Sequence, residues 1–299
     1  MKNHIQSSLQ VIFALVLLLM LGACASAPVE SKQETKGLLW KIQSKSLSSE
    51  SYLFGTMHSE DPRIAKIDGP VKQAFDQSPH FVLEVELDKV STQAVLGQMY
   101  YTSGERLEHV LGKSLYKQAL AAMEKRGMPE KMVSIMKPWA VFMILNMPEA
   151  ETGEFLDALM YKTAKASGKK VTGLETLQEQ VDVFDQMKMA TQKELLRSTL
   201  EHQNDMDKIM DETIETYLTR DLDNILALND KYLKLLSPEV GNIFTQRLLL
   251  DRNKRMTKRM LPLLKQGKTF IAVGALHLPG KEGIINLLAE QGYQLTPIH

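Results

Sequence analysis

The sequence predicts an α/β fold whose central mixed sheet is built from the N-terminal and C-terminal segments, with a large helical insertion between them. Apolar strand patterns stand near both ends of the 299-residue chain, and over a hundred residues between them carry apolar side chains at helical spacing. A third observation links the two ends. An apolar run followed by G-x-x-H occurs twice, closing with His58 near the start and with His277 near the end.

The first 23 residues are expected to be a secretory signal peptide. Lys2 precedes an apolar core, residues 11–21, that is too short to span a bilayer, and small residues stand before Cys24. Leu-Gly-Ala-Cys resembles the bacterial lipobox, in which the cysteine is acylated; the alternative is an ordinary signal peptide with an incidental cysteine. In the lipoprotein interpretation, Ala25 predicts sorting to the outer membrane, facing the periplasm, with residues 24–36 as a flexible tether.

The amino-acid composition limits which classes of function the protein can have. Cys24 is the only cysteine, so disulfides, thiolate catalysis and Cys-ligated metals are excluded in the folded part. Residues 1–23 contain one lysine and no acid, so their removal leaves 35 of the 36 basic residues against 36 acidic ones. This balance gives no indication of a nucleic-acid partner. The folded domain is expected to span residues 37–299.

The N-terminal elements follow from alternation and turn residues. Strands near residues 38–44 and 51–54, separated by a Ser-rich turn, predict a hairpin, and a short helix is expected near 69–77. The segment HFVLEVELD, residues 80–88, alternates in the manner of a strand. That alternation places the carboxylates at positions 84 and 86 side by side on one face.

The rest of the chain is mostly helical in its spacing. The helical block covers about 91–265 and is interrupted by a short strand predicted within GKKVTGLE, residues 168–175. After the block, a strand at 269–275, a helix near 281–291 and a last strand at 292–298 complete the fold.

The two G-x-x-H segments predict one site. In an open α/β sheet, ligands collect beyond the carboxyl ends of the strands. The glycine of each motif is expected to let the backbone turn sharply, so that His58 and His277 line one crevice. Neutral imidazole suits zinc, iron, manganese or cobalt, and Glu84 or Glu86 would complete a two-His, one-carboxylate set that favours hydrolysis. The alternative is that each histidine is a hydrogen-bonded loop residue without a shared ion.

Several segments together resemble the TraB/PrgY/GumN family, whose relatives include the animal TIKI proteins. In order, they are WKIQ, SYLFGTMHSED, FVLEVELD, GKKVTGLETLQEQ, LLLDRNKRM and FIAVGALHLPGKEGIINLLAEQGYQLTPI. The resemblance implies an α/β fold of the kind shared with erythromycin-esterase-like and haem-binding ChaN-like proteins. For the TIKI proteins it implies a metal-dependent protease activity, and so a peptide or protein substrate and a divalent metal (manganese, cobalt, zinc or iron).

Carried over by position, the resemblance makes His58 and His277 the paired motif histidines. It ranks Glu84 as metal ligand or base ahead of Glu86, which stands where the family often has aspartate. Glu175 matches the acid of a Leu-Glu-Thr motif and is implied to act as proton donor or base.

The resemblance also implies that Arg252 and Asn253 form an Arg-Asn pair on a late helix. The arginine would stabilise an oxyanion or bind a substrate carboxylate. Two alternatives need no catalysis. Glu175 suits the start of a helix, where the dipole favours an acid, and Arg252 with Arg255 and Arg259 suits a solvated helix face.

These observations lead to one hypothesis and two alternatives. The hypothesis is a lipid-anchored metal-dependent hydrolase that acts on a peptide or related amide. The first alternative is a non-catalytic lipoprotein that binds metal, haem or a peptide, with Tyr100 and Tyr101 as candidate haem ligands. The second is an assembly role for the helical block.

Overall fold

The computed structural model of the chain describes residues 36–45, 49–86, 89–147 and 152–299. The predicted signal peptide, Cys24 and most of the tether lie outside the described residues. The six described strands, in chain order, are β1 (Leu39–Gln43), β2 (Ser51–Thr56), β3 (His80–Val85), β4 (Lys170–Glu175), β5 (Thr269–Gly274) and β6 (Gln294–Pro297).

These strands form one mixed sheet in the order β4-β3-β5-β2-β1-β6. The neighbours β4, β3, β5 and β2 are parallel to one another, while β1 is antiparallel to both β2 and β6. The α/β class and the mixed sheet are therefore confirmed, as is the N-terminal hairpin. Five of the strands come from the two ends of the chain, and β4 comes from inside the predicted helical block and occupies an edge.

Helices account for most of the remaining described residues. The α-helices between β2 and β4 are α1 (Gly69–Gln77), α2 (Lys89–Gln98), α3 (Leu107–Leu111), α4 (Lys113–Lys125), α5 (Glu130–Val133), α6 (Pro138–Leu145) and α7 (Leu156–Ala166). Those after β4 are α8 (Leu177–Asp185), α9 (Met189–Glu201), α10 (Met206–Leu218), α11 (Leu222–Leu233), α12 (Pro238–Thr245), α13 (Asp251–Leu264) and α14 (Ile284–Glu290). None of the described helices is both long and apolar enough to cross a membrane.

Capping residues explain where several of these helices begin. Thr176 forms a capping box with Glu179 at the start of α8, so the turn after β4 leads directly into a helix. The Asp221 side chain accepts two backbone N–H groups at the start of α11, and the Ser237 side chain caps α12 ahead of its first-turn proline. The part of the predicted helical block that follows β4 is thereby divided into separate helices.

The apolar interior has two main parts. The sheet core includes Phe81, Phe270 and Ile271, all with 0% relative exposure, packed against α1, α7 and α13. The helical core is formed by apolar side chains of α4, α6, α8, α9 and α12. Val85, at the end of β3, and Leu276, in the second G-x-x-H segment, belong to the helical core. The carboxyl ends of the parallel strands therefore lie where the two cores meet.

Gly55 has a different purpose from the sharp turn expected for it. The residue lies inside β2, and a Cβ atom there would approach Ala275 Cα to 3.0 Å and Leu278 Cδ2 to 3.1 Å. The glycine thus allows the end of β2 to pack closely against the segment that carries His277. The constraint is close approach between the two motifs, since the Gly55 backbone remains in the strand.

The close contact at Gly55 predicts that substitution by alanine affects stability differently at two glycines. We expect Gly55→Ala to lower the free energy of unfolding by about 1–3 kcal/mol, because the added methyl overpacks against Ala275. Gly97→Ala, in α2 with no atom within 4 Å of its added Cβ, should leave stability unchanged or raise it by up to about 1 kcal/mol. Urea denaturation of both variants measures the difference. Equal stabilities for the two variants would contradict the packing argument.

Candidate functional site

The two G-x-x-H segments leave adjacent strands of the sheet. β2 and β5 are parallel neighbours in which Thr56 pairs with Gly274, so both histidines follow at the same edge. On the other side of β5, β3 contributes Glu84, and β4 ends with Glu175 paired to Val85. Four neighbouring parallel strands therefore end at one edge of the sheet, and His58, Glu84, Glu175 and His277 lie at or next to these ends, where this topology favours ligand binding. We call this region the strand-end crevice.

His277 is fully buried, and its hydrogen bonds fix the ring. Its Nδ1 atom contacts Asn253 Oδ1, while Asn253 Nδ2 donates to the Glu282 backbone oxygen over 2.8 Å. Because Asn253 Oδ1 can only accept, the imidazole hydrogen is on Nδ1. Burial and then the charge of Arg252 lower the pKa of His277 well below its ordinary value, so the ring is neutral.

The other ring nitrogen of His277 has no hydrogen-bond partner. Nε2 is buried and unpaired, and the nearest carboxylate atom to it is Glu84 Oε1 at 3.7 Å. A buried polar atom without a partner costs free energy and is rare in folded proteins. Nε2 therefore presents an unused lone pair towards Glu84.

Glu84 is partly exposed, with 18% of its side chain accessible to solvent. Its Oε1 accepts the Gly274 backbone N–H at 2.7 Å, and its Oε2 accepts from Arg252 Nη2 at 2.5 Å. Burial raises the pKa of Glu84, the charge of Arg252 opposes this, and the nearby Glu175 and Asp157 carboxylates raise it further. The net shift is upward, so Glu84 accepts a proton more readily than a solvated glutamate.

Arg252 is not on a solvated helix face, so the non-catalytic alternative given for it in the sequence analysis is wrong on this point. Its side chain is 2% exposed, and it donates to Glu84 and, through Nε and Nη2 at 2.9 and 2.7 Å, to Glu175. Nη1 approaches the Leu248 carbonyl oxygen of the π-helical turn Gln246–Leu250 at 3.4 Å. The guanidinium therefore positions two carboxylates, and its implied contact with an oxyanion or a substrate carboxylate stays a prediction.

Glu175 is held as a permanent anion. Its side chain is fully buried, with Oε2 bound to Arg252 and Oε1 bound to Arg255 at 2.6 and 3.0 Å. Burial alone would raise the pKa of Glu175, but the charges and hydrogen bonds of the two arginines outweigh it and lower the pKa. A carboxyl group with a lowered pKa is a poor proton donor, so the geometry favours a structural anion over the acid that the resemblance implies.

His58 is bound by a residue that the sequence analysis missed. Its Nδ1 lies 3.0 Å from Asp157 Oδ2, and Thr56 Oγ1 donates to Asp157 Oδ1 at 2.6 Å. The ring of Phe155 stacks on the imidazole with centroids 4.4 Å apart. Burial raises the pKa of Asp157, but His58 and Thr56 outweigh this and lower it. An acid in the first turn of α7 was the only indication in the sequence, 99 residues from His58.

Glu86 does not join this cluster. β3 ends at Val85, so the strand alternation that would place Glu86 beside Glu84 stops before it. Glu86 forms a surface ion pair with Lys165 at 2.6 Å, with 36% of its side chain exposed. The expectation of two carboxylates side by side on one strand face is therefore wrong, and Glu84 is the one that enters the crevice.

The donor atoms of His58, His277 and Glu84 are of types that bind a divalent metal, but the three side chains are not close enough together to hold one. Metal-ligating histidines donate their other ring N–H to a carboxylate or carbonyl oxygen, and His58 on Asp157 and His277 on Asn253 have this arrangement. The 3.7 Å between His277 Nε2 and Glu84 Oε1 is shorter than twice a metal–ligand distance of about 2.1 Å. Among the described residues, no group of three or more His, Cys, Asp or Glu side chains is close enough to hold an ion. The three-ligand set of His58, His277 and Glu84 stays a prediction.

The ion pairs of Arg252 with Glu84 and Glu175 are called the buried clamp. They predict that removing Glu175 costs more stability than removing a glutamate paired at the surface. Glu175→Gln should lower the free energy of unfolding by about 3–5 kcal/mol, because it leaves the buried Arg252 charge partly uncompensated. Glu86→Gln, which removes the surface partner of Lys165, should cost under about 1 kcal/mol. Urea unfolding at neutral pH measures both. A Glu175→Gln variant as stable as Glu86→Gln would show that the clamp contributes little.

Comparison with known proteins supports a family assignment. A model of the TraB/PrgY/gumN family matches residues 38–297. Metalloprotease TIKI2 of Xenopus tropicalis is 24% identical over 319 aligned positions, which cover 89% of this chain and 60% of that protein. The Metalloprotease TIKI homolog of Amphimedon queenslandica is 23% identical, covering 94% of this chain and 65% of that protein. This chain thus spans about 60–65% of the length of these two relatives.

No solved structure matches this chain. The predicted likeness to erythromycin-esterase-like and ChaN-like folds therefore stays a prediction beyond the α/β class. The family model, in contrast, extends from the residue before β1 to the last residue of β6, and so includes every strand and every candidate site residue. The chain belongs to the TraB/PrgY/gumN family.

Proposed function

We propose that this chain is a metal-dependent hydrolase of peptides or proteins, held at the outer membrane by a lipid on Cys24 and facing the periplasm. The relatives named metalloproteases support the reaction class, and a divalent ion (manganese, cobalt, zinc or iron) is the cofactor their name implies. His277 and Glu84 would hold the ion together with His58. The other groups of the crevice would position these three.

One observation carries the proposal. The buried Nε2 of His277 is unpaired, its ring orientation is fixed through Nδ1, and Glu84 lies opposite at 3.7 Å. The fold bears the cost of an unsatisfied buried nitrogen, which is what a site kept ready for a ligand requires.

The residues around the crevice have separable tasks. When bound, a divalent ion supplies Lewis acidity that polarises a peptide carbonyl and lowers the pKa of water. Asp157 orients His58 through Nδ1, which turns its Nε2 away from that carboxylate, and Asn253 does the same for His277. Arg252 holds Oε2 of Glu84, which leaves Oε1 on the side of His277 Nε2.

The alternative is a binding protein with the same crevice and no turnover. Metal uptake is common to both functions, so cleavage distinguishes them. A haem ligand is not indicated by Tyr100 or Tyr101, because burial raises the pKa of both phenols and neither is part of the strand-end cluster. We therefore give the hydrolase precedence and treat binding without cleavage as an outcome of the test.

Metal content is the first test. The soluble form, residues 25–299, is incubated with manganese, cobalt, zinc or iron and analysed for bound elements. We expect about one ion per chain, lost in His277→Ala and in His58→Ala because each removes a proposed ligand. His109→Ala, an exposed histidine of α3, is the matched control and should retain the ion. Full occupancy in both crevice variants would overturn the shared site.

Cleavage is the second arm of that test. The metal-loaded protein is incubated with a peptide mixture, and products are identified by mass spectrometry. We expect cleavage that a chelator abolishes and the restored metal recovers. Metal binding without any cleavage would support the binding protein and overturn the hydrolase.

The lipid anchor is tested separately. Cys24→Ser should move the full-length protein from the membrane to the soluble periplasmic fraction, because the acylated thiol is lost while the folded domain is unchanged. Fractionation followed by immunoblotting measures the shift, and the metal content of the variant should equal that of the parent protein. A Cys24→Ser protein that stays with the outer membrane would exclude the lipid as its main anchor.

A further inference from the structure

A second recess lies in the helical block, outside the strand-end crevice. It is a cleft between α6, α9, α10, α11 and α12, with a space of about 880 Å³ that includes the part open to solvent. Most of its lining is apolar, including Leu195, Met210 and Phe244. The metal chemistry proposed above makes no use of this cleft.

Several polar groups of the lining already have hydrogen-bond partners. The hydroxyls of Ser198, Thr199 and Thr213 each donate to a backbone carbonyl oxygen at 3.2, 3.1 and 2.7 Å. The Asn146 amide donates to Thr199 Oγ1 and to a backbone oxygen of α6. These side chains therefore offer few free hydrogen bonds, and an occupant of the cleft would gain chiefly from burying apolar surface.

The charge of the lining limits which class of molecule the cleft can bind. No lysine, arginine, aspartate or glutamate is among the described residues that line the cleft. His202 is the one titratable cation-forming side chain of the lining, and its Nδ1 is within 2.9 Å of the Ser198 carbonyl oxygen. The carboxylate of a fatty acid would have no arginine or lysine partner there, whereas an apolar peptide side chain needs none.

The cleft is physically connected to the first motif. Met210 of α10 lines the cleft and also packs against the apolar pair Met147 and Phe155, and the Phe155 ring stacks on His58. The same helix carries Tyr217, whose hydroxyl donates to the Gly55 carbonyl oxygen at 2.8 Å. One helix thus forms a wall of the cleft and supports the G-x-x-H segment.

We propose that this cleft is a specificity subsite that receives an uncharged apolar side chain of the peptide substrate. Its position on α10, the helix that also supports the first G-x-x-H segment, fits a substrate that extends from the strand-end crevice across this helix. The assignment of the occupant as substrate rests on the proposed function. The binding of an apolar peptide at the cleft does not, and can be measured without turnover.

Binding of a neutral apolar dye, N-phenyl-1-naphthylamine, tests the cleft directly. We expect fluorescence titration of residues 25–299 to give saturable binding that Ser198→Phe weakens at least tenfold, because the new ring fills the cleft. Ile209→Phe is a second filling variant, should the first fail to fold by circular dichroism. Ser114→Phe, the same change on an exposed residue of α4, should bind the dye like the parent. Unchanged binding in both folded filling variants would overturn the proposal.

Displacement identifies the occupant. An acetylated and amidated leucine-rich peptide should displace the dye, while a serine-rich peptide of the same length should not. Displacement by decanoate together with no effect of the leucine-rich peptide would overturn the proposal in favour of a lipid. Failure of the proposed function would give a different result. The leucine-rich peptide would displace the dye, but the protein would bind no metal and cleave no peptide. The cleft would then be an apolar peptide site in a protein that is not a hydrolase. Metal binding and cleavage without dye binding would overturn the cleft alone.

Discussion

The buried guanidinium of Arg252 is the interaction on which the arrangement of the crevice depends. Removing a charge from water is costly, and this one is compensated by Glu84 and Glu175, which stand at the ends of neighbouring strands. Arg255 adds a second positive charge, but only on Glu175. The clamp therefore treats its two carboxylates unequally. Glu175 is paired with two arginines, and its pKa is lowered. Glu84 is paired with Arg252 alone and lies near the Glu175 and Asp157 carboxylates, and its pKa is raised. A pair of carboxyl groups with pKa values moved apart is how one site divides structural from reactive roles.

Much of the fold follows from the sequence because its signals are local. The hairpin of β1 and β2, the helix Gly69–Gln77 and the strand β5 with its following loop were each predicted from alternation, turn residues or helical spacing. The expectation that both histidines leave the same sheet edge also holds, since it needs only two parallel strands to be neighbours. Strand ends are less predictable. The alternation in HFVLEVELD continues past Val85, but β3 does not, and Glu86 pairs with Lys165 at the surface and does not join Glu84.

The rest of the site depends on contacts between distant segments. Asp157 and His58 are 99 positions apart, and no spacing rule connects a first-turn acid of α7 with a loop after β2. The burial of Arg252 was equally hidden, because its neighbours Lys254 and Lys258 give the helix a solvated composition. Arg252 and Asn253 of α13 are both buried although they are polar, whereas an amphipathic pattern assigns buried helix positions to apolar side chains.

The division of labour between sheet and helices explains why both are needed. Strand ends bring His58, Glu84 and His277 to one edge, but a strand end does not determine which imidazole nitrogen carries the hydrogen. Helical residues do so, Asp157 from α7 and Asn253 from α13. Because the crevice lies where the sheet core meets the helical core, a displacement of α7 or α13 would change the orientation of the imidazole rings without moving a strand. The chemistry of the crevice therefore depends on the packing of the helical block. Helix α10 donates a hydrogen bond to Gly55 and packs against the pair Met147 and Phe155, so it is the element that would link occupancy of the apolar cleft to His58.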